Sequence, residues 1–171
     1  MSRFQASVAF MLAACASTPA RPPAVPEIIA VPEGQSPLLR AAARGAQIYT
    51  CKAKAADAAS FEWALKAPDA ELFDERGATI GRHYGGPTWE SADGSRVVGE
   101  VVQRSAVPGA VPWLLLRAKS AEGAGVFAKV TYIQRIDTAG GVAPSAGCDA
   151  AHAGEESRID YSANYQFYSA R

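Results

Sequence analysis

The chain has 171 residues, in which 17 lysines and arginines balance 17 aspartates and glutamates. This length suits one domain with a core of its own. The balanced charge creates no overall field toward nucleic acid or an anionic surface, so we expect no nucleic-acid partner. No apolar run reaches the roughly 18 residues that a membrane-spanning helix needs.

The first residues have the pattern of an export signal. After Arg3, a mostly apolar run extends to Ala14 and ends in the letters L-A-A-C at residues 12–15. These four letters resemble the bacterial lipobox, in which the signal is removed before a cysteine that is then lipidated. We therefore expect residues 1–14 to be a signal peptide and Cys15 to anchor the protein in a membrane. The alternative is an ordinary secretory signal followed by a chance cysteine.

A segment rich in proline and alanine follows, over residues 15–36. Such a composition buries too little surface to fold, so it predicts a stiffened spacer before a folded domain over residues 37–171. In bacterial lipoproteins, aspartate directly after the modified cysteine favours the inner membrane, whereas here Ala16 and Ser17 follow. The expected location is the cell envelope, at the outer membrane and facing the periplasm. A secreted or free periplasmic protein is the alternative.

Two further cysteines, Cys51 and Cys148, lie near the two ends of the domain. Because an exported protein meets an oxidising compartment, we expect a disulfide between them; two separate buried thiols are the alternative. Closing a loop of about 100 residues would stabilise the fold by up to ~4–5 kcal/mol on the chain-entropy model. Neither cysteine has a CxxC partner or a histidine at ligand spacing, so we expect no zinc site.

Hydrophobic residues in the rest of the chain recur at every second position, which is typical of strands. Residues 61–66 show this alternation, and we expect Pro68-Asp69 to end that strand. Hairpin turns are predicted at Asp74–Gly77, Ala92–Gly94 and Ala121–Gly125. A last strand with one apolar face is predicted over residues 159–167. Short strands at this spacing predict a mostly β fold, an antiparallel β-sandwich or a barrel-like domain.

One short helix is expected near the start of this domain. Ser36–Arg44 begins with a serine N-cap and a proline at the first helical position, and Gly45 follows its end. Ala53–Ala59 is interpreted as a loop. Ala143–Gly154 is predicted to be irregular because it contains Pro144 and two glycines.

The whole pattern resembles DUF3455, a family of exported bacterial and fungal proteins of unknown function, from about Val31 to Tyr168. Its motifs are G-A-Q-I-Y-T-C at 45–51, A-P-D-A-E-L-F-D-E-R-G at 67–77, I-G-R-H-Y-G-G-P-T-W-E at 80–90, D-G-S at 93–95, V-P-W-L-L-L at 111–116, V-T-Y-I-Q-R-I-D-T at 130–138 and G-G at 140–141. The resemblance implies an exported β-rich domain without an established activity. The chain contains no glycine-rich dinucleotide fingerprint, and we expect no cofactor.

The stretch Ile80–Gly94 is the candidate site, because it combines aromatic, titratable and glycine residues between two strand-like segments. Glycines let a backbone approach a ligand closely, histidine titrates near neutrality, and aromatic rings suit half-wet surfaces. This stretch predicts a binding site for a glycan, another small molecule or a protein partner. The candidate binding residues are His83, Tyr84, Gly85, Gly86, Trp89, Glu90 and Asp93.

Two other functions stay open. In the first, His83 with Glu90 or Asp93 forms an acid–base pair of a hydrolase-like enzyme; in the second, the protein is a structural envelope lipoprotein without a pocket. The spacing of its histidines and acids does not indicate a metal site. Gln134 and Arg135 end an otherwise apolar strand and are expected to point to opposite faces, with one of the two buried. If the buried residue is Arg135, it would need a carboxylate such as Asp74, Glu90 or Glu100.

Overall fold

The computed structural model describes residues 24–171. The predicted signal peptide, the lipidated Cys15 and the first part of the predicted tether lie outside these residues. Eight strands form one antiparallel sheet that closes into a barrel, so the predicted mostly β, antiparallel fold is confirmed. The strands are β1 (Gln35–Lys54), β2 (Asp57–Phe73), β3 (Thr79–Tyr84), β4 (Thr88–Ser91), β5 (Arg96–Val107), β6 (Ala110–Glu122), β7 (Val130–Gly140) and β8 (Glu156–Ala170).

Each strand pairs with its neighbours in sequence, and β8 returns to pair with β1. This closure joins the two ends of the sheet, but β3 and β4 are short, so β2 before Ala70 and β5 after Gly99 have a strand partner on one side only. The connections β1–β2, β3–β4, β5–β6 and β7–β8 lie at one end of the barrel, which we call the open end. The connections β2–β3, β4–β5 and β6–β7 lie at the other end, which we call the closed end.

Alternation along each strand sends every second side chain into the barrel. At the closed end the interior is filled by large apolar groups, and Phe127, in a short 3-10 helix (Val126–Lys129) before β7, packs on Phe167 with ring centroids 4.7 Å apart. The predicted C-terminal strand is confirmed as β8, whose inward residues are buried. The buried apolar cluster includes Leu72, Trp89, Val97, Leu116, Ile133, Tyr165 and Phe167.

The predicted helix over Ser36–Arg44 is wrong, because these residues belong to β1. The capping pattern was valid locally, yet β1 pairs with β8 on one side and β2 on the other, and this long-range pairing outweighs local propensity. Gly45 does not end a helix. A Cβ at this position would lie 2.2 Å from the carbonyl oxygen of Asp69, so only glycine permits this approach of β1 to β2.

Pro68-Asp69 does not end a strand either, and β2 continues through both residues to Phe73. Lys66 is left unpaired between Ala67 and Leu65, which face Ile48 and Tyr49, so a β-bulge precedes the proline. The predicted loop at Ala53–Ala59 shrinks to a turn at residues 55–56. The three predicted hairpin turns connect β2–β3, β4–β5 and β6–β7, although the residues after the last one form the 3-10 helix before β7 begins.

The segment before β1 packs on the outside of the barrel. Ile29, in a 3-10 turn (Glu27–Ile29), is fully buried against Leu115 and Ile136. The side-chain amide nitrogen of Gln134 donates to the Ile29 carbonyl oxygen at 2.7 Å. The packed part of the chain therefore begins about ten residues before the predicted domain boundary at residue 37.

The predicted disulfide between Cys51 and Cys148 is confirmed. It links the end of β1 to the β7–β8 connection, whose residues are irregular apart from a 3-10 turn (Ala150–His152), as predicted. The indole nitrogen of Trp63 donates to the carbonyl oxygen of Ala146 and fixes the same connection to β2. Among the described residues, no helix has the length and apolar character needed to cross a membrane.

Candidate functional site

The stretch Ile80–Gly94 forms a β-hairpin and not a loop on the scaffold. Its two strands, β3 and β4, place His83 opposite Trp89 and Tyr84 opposite Thr88. The turn at Gly85-Gly86-Pro87 lies at the open end. Gly86 adopts a φ of +130°, a conformation that glycine accepts without strain.

His83 and Trp89 point into the barrel and are almost completely buried, at 2% and 1% exposure. Their rings stack with centroids 4.4 Å apart and planes inclined by 11°, and Tyr165 meets both rings edge-on. The Nδ1 atom of His83 lies 2.9 Å from the carbonyl oxygen of Thr88. A carbonyl only accepts, so a neutral His83 holds its proton on Nδ1 and leaves Nε2 as an acceptor.

Tyr84 and Glu90 point out of the barrel, on the face opposite to His83 and Trp89. The Tyr84 hydroxyl donates to Glu90 Oε2 at 2.7 Å, and Arg82 donates to Oε1 at 3.0 Å. The hydrogen bond from Tyr84, followed by the one from Arg82, lowers the pKa of the Glu90 carboxyl. Glu90 is therefore ionised, and both of its carboxylate oxygens already accept hydrogen bonds on the outer surface.

Asp93 lies at the closed end, in the turn between β4 and β5. Its carboxylate accepts from the backbone and hydroxyl of Ser95 and, at 2.8 Å, from the backbone nitrogen of Val126. These hydrogen bonds, the Ser95 hydroxyl first, lower the pKa of Asp93 to about 2. Asp93 thus ties the β4–β5 turn to the segment before β7, which is a structural task.

The structure therefore distributes the candidate residues among three places. His83, Gly85 and Gly86 border the interior at the open end. Trp89 lies in the same interior, beneath the His83 ring. Tyr84 and Glu90 lie on the outer wall, and Asp93 lies at the closed end. The hairpin does not bring His83 together with Glu90 or Asp93, so the arrangement expected of an acid–base pair is not assembled.

A cavity of about 440 Å³ opens at the end of the barrel above His83. Apolar side chains form much of its wall, and His83, which stacks on the Trp89 ring behind it, forms part of its floor. The lining residues are Gln47, Tyr49, Leu65, Lys66, Ala67, Pro68, His83, Gly85, Gly86, Pro87, Val101, Arg104, Val111, Pro112, Leu114 and Arg135.

Sequence reasoning missed most of the polar groups of this cavity. Gln47 and Tyr49 point inward from β1 and are 1% and 7% exposed. The Tyr49 hydroxyl donates to the carbonyl oxygen of Gly141 at 2.6 Å. The amide nitrogen of Gln47, by contrast, is buried without a hydrogen-bond partner in residues 24–171. A glutamine and a tyrosine two positions apart on a strand that is otherwise rich in alanine were the available signal.

Arg135 is the one charged side chain buried among the described residues, at 9% exposure. The prediction of a carboxylate partner for Arg135 is wrong. The Nε and Nη2 atoms of Arg135 donate to the carbonyl oxygen of Pro112 at 3.1 and 2.9 Å. No aspartate or glutamate of residues 24–171 lies within 4.0 Å of its guanidinium. Residues 1–23 contain neither acid. The chain therefore provides no carboxylate for this cation.

The other titratable groups around Arg135 are neutral at physiological pH. Burial lowers the pKa of His83 from 6.5 to about 3, against a raising effect of its bond to Thr88. Burial also raises the pKa of the Tyr49, Tyr161 and Tyr165 hydroxyls. Arg135 thus supplies the charge of the cavity interior, and Lys66 and Arg104 add positive charge at its rim.

Among residues 24–171, two larger depressions lie on the outer surface, and neither is lined by a buried polar atom that lacks a hydrogen-bond partner. One of about 600 Å³, along β1 to β4, is bordered by Arg82 and Glu90, which already bond to each other. Another of about 700 Å³ lies between the N-terminal segment and Tyr168. In that depression the Gln134 amide is satisfied by Ile29 and by the Tyr168 hydroxyl. The open-end cavity is therefore the best candidate site.

Within residues 24–171, no three His, Cys, Asp or Glu side chains gather where they could hold a metal ion. No curated protein and no solved structure matches the chain. A family model described as "Protein of unknown function (DUF3455)" matches residues 32–169, which include the whole barrel except Ala170, the last residue of β8. The motifs at 45–51, 67–77 and 80–90 supply Gln47, Tyr49, Ala67, Pro68 and His83 to the cavity wall. The chain therefore belongs to the DUF3455 family.

Proposed function

We propose that this protein binds a small molecule in the cavity at the open end of the barrel. The observation that carries the proposal is a hollow of about 440 Å³ with apolar walls and buried polar groups, one of which, the Gln47 amide nitrogen, has no protein partner. Ligand sites typically measure about 300–1,000 Å³ and combine apolar walls with a few polar groups. Eight-stranded barrels have an interior that can hold one small ligand.

The rim of the cavity suits the entry of such a molecule. The β3–β4 turn contributes Gly85, Gly86 and Pro87, which present little side-chain bulk. Next to the cavity, the Tyr49–Gly141 hydrogen bond fixes the start of the β7–β8 connection, and the Cys51–Cys148 disulfide fixes its middle. The mouth thus includes a wall of small residues, and the end of β1 beside it is held in place covalently.

An enzyme using His83 and a carboxylate is less well supported. His83 is buried and neutral, and Glu90 bonds on the outer wall while Asp93 bonds at the closed end. The indole nitrogens of Trp89 and Trp113 are likewise buried without a partner in residues 24–171, but Gln47 is the one of the three that lines the cavity, where a bound molecule can accept from it. A purely structural role leaves this hollow beside an unpaired amide, at a cost of about 1–3 kcal/mol, without a use. Ligand binding gives a use to the hollow and to the unpaired Gln47 amide nitrogen, which the other two functions leave unexplained.

Binding is tested with N-phenylnaphthylamine, a neutral apolar fluorophore whose emission rises in an apolar site. We expect saturable binding to the wild-type domain. The Ala67→Phe variant should lose this binding because the new ring fills the cavity from β2. Its matched control is Ala59→Phe, an exposed position on the same strand outside the cavity. Equal binding by both variants and the wild type would place the fluorophore elsewhere and refute the proposal.

We also propose that the barrel is held at the cell envelope by lipid on Cys15. The L-A-A-C letters at residues 12–15 support this anchor, and a disulfide-bonded domain suits an oxidising compartment. In fractionated cells the wild-type protein should follow the membranes, and a Cys15→Ala variant should appear in the soluble fraction. A variant that stays equally membrane-bound would exclude the lipid as the anchor.

A further inference from the structure

We propose that the ligand of the open-end cavity is a small, mainly apolar monocarboxylate whose carboxylate group binds Arg135. This inference rests on the proposed function and names the class of molecule that the cavity selects. It follows from the charge, the hydrogen-bond donors and the walls of the cavity.

The first argument is the missing counter-ion. Arg135 is buried, yet its hydrogen bonds go to the uncharged carbonyl of Pro112, and no acid of the described residues reaches it. None of the residues that line the cavity is an aspartate or glutamate. A buried cation without an opposite charge is costly, so an anion entering the cavity would stabilise the guanidinium as well as being held by it.

The second argument is the surplus of donors. The Gln47 amide nitrogen, 1% exposed and without a partner, lines the same cavity as Arg135. A carboxylate accepts through two oxygens and donates nothing, which matches a guanidinium and an amide N–H. An ammonium ligand would leave these donors unmatched and would add positive charge beside Arg135, and an amide would offer one accepting oxygen but no negative charge.

The third argument limits the charge of the ligand to one. Arg135 is the buried cation of the cavity; at the rim, Lys66 already bonds to Glu156 and Arg104 is exposed to solvent, which screens its charge. A phosphate dianion would bring a second negative charge into a site with one interior cation, at a large desolvation cost. The planar, bidentate geometry that arginine offers also fits a carboxylate.

The fourth argument defines the rest of the molecule. Beyond the polar cluster, the walls consist of aliphatic side chains and prolines, including Leu65, Val101, Val111 and Leu114. Leu65 and Val101 are 57% and 38% exposed without a ligand. An aliphatic or aromatic body lying against these residues would remove this apolar surface from water.

The test compares acids with alcohols of the same carbon skeleton. Octanoate and 3-phenylpropanoate, with octanol and 3-phenylpropanol as neutral partners, are titrated against bound N-phenylnaphthylamine at low salt near neutral pH. We expect each acid to bind at least about tenfold more tightly than its alcohol, as charge-assisted hydrogen bonds predict. Equal affinities would refute the carboxylate class while leaving binding in the cavity intact. Failure of the fluorophore itself to bind would instead refute the proposed function.

Two further arms locate the interaction. Arg135→Met should weaken octanoate binding at least about tenfold and change octanol binding by less than about twofold, because it removes the charge and keeps the bulk. Arg117→Met, an exposed position whose partner is Glu100 on the outer wall, should change neither. If octyl phosphate bound about tenfold more tightly than octanoate, the assignment to a monocarboxylate would be overturned. If Arg135→Met does not fold, as judged by circular dichroism, the acid–alcohol comparison on the wild type decides alone.

Discussion

The closed and open ends of the barrel interior differ in how completely side chains fill them. At the closed end, Phe127, Phe167 and Leu116 pack together with almost no exposure. At the open end, Gln47, Tyr49, His83 and Arg135 surround a cavity of about 440 Å³. The closed end therefore supplies packing free energy, whereas the open end carries buried polar groups that cost free energy in the unliganded protein. The difference indicates a barrel whose stability comes from one end and whose binding capacity comes from the other.

The largest expected effect concerns the disulfide that holds the open end together. Replacing Cys51 and Cys148 by alanine should lower the free energy of unfolding by up to about 4–5 kcal/mol, because the unfolded chain regains the entropy of an open loop. Urea denaturation of the oxidised wild type against the double variant measures this loss. Reductant should destabilise the wild type and leave the double variant unchanged. If the wild type were insensitive to reductant and its mass spectrum showed two free thiols, Cys51 and Cys148 would not be bridged.

The second prediction compares the same substitution at the two ends. Leu116 packs in the filled interior and is 1% exposed, whereas Leu114, two residues earlier on β6, lines the cavity and is 8% exposed. Leu116→Ala should cost about 4 kcal/mol and Leu114→Ala about 2 kcal/mol, since the removed Leu114 atoms have fewer packing partners. Urea denaturation midpoints test this difference. Equal losses would show that the open end is packed as tightly as the closed end.

The third prediction concerns pH and His83. The unfolded chain takes up a proton below about pH 6.5, whereas folded His83, with its pKa near 3, stays neutral. The stability associated with neutral His83 is therefore present above pH 6.5 and is lost as pH falls, by about 1.4 kcal/mol per pH unit. Between about pH 6.5 and 4.5 the wild type should lose roughly 2–3 kcal/mol relative to His83→Asn.

The control for this prediction is the second histidine. Asp149 raises the pKa of His152, so its contribution has the opposite sign, present at low pH and lost as pH rises. Because His152 occurs in both proteins, it cancels in the comparison of wild type with His83→Asn. Parallel stability curves for the two proteins would mean that His83 titrates freely and that the open end is wetter than the structure indicates.

The smallest effect separates two buried glutamines. Gln47 leaves its amide nitrogen without a partner at the open end, whereas both polar atoms of Gln134 are bonded, to Ile29 and Tyr168. Gln47→Leu should raise the free energy of unfolding by about 1 kcal/mol, and Gln134→Leu should lower it by about 2 kcal/mol because two partners lose their hydrogen bonds. Thermal and urea denaturation measure both changes. Destabilisation by Gln47→Leu would mean that its amide already has a structural task.

The sequence alone determined the β-rich class, the hairpin turns and the last strand. Alternation of apolar residues and turn pairs such as Asp93-Gly94 are local signals, so they can be read without knowing the fold. The pairing of Cys51 with Cys148 followed from the cysteine count once Cys15 was assigned to the lipobox. His83 was also singled out from the sequence, because it is one of two histidines and lies two residues before Gly85-Gly86.

Only the tertiary structure decided which side of the wall each residue faces and which residues meet. The Ser36–Arg44 segment has the local signals of a helix, and pairing with β2 and β8 makes it a strand instead. Closure of the sheet brings Gln47 of β1, His83 of β3 and Arg135 of β7 to one cavity, although 88 residues separate the first from the last. No local pattern encodes such a meeting, because it depends on strand order and register, which long-range contacts determine.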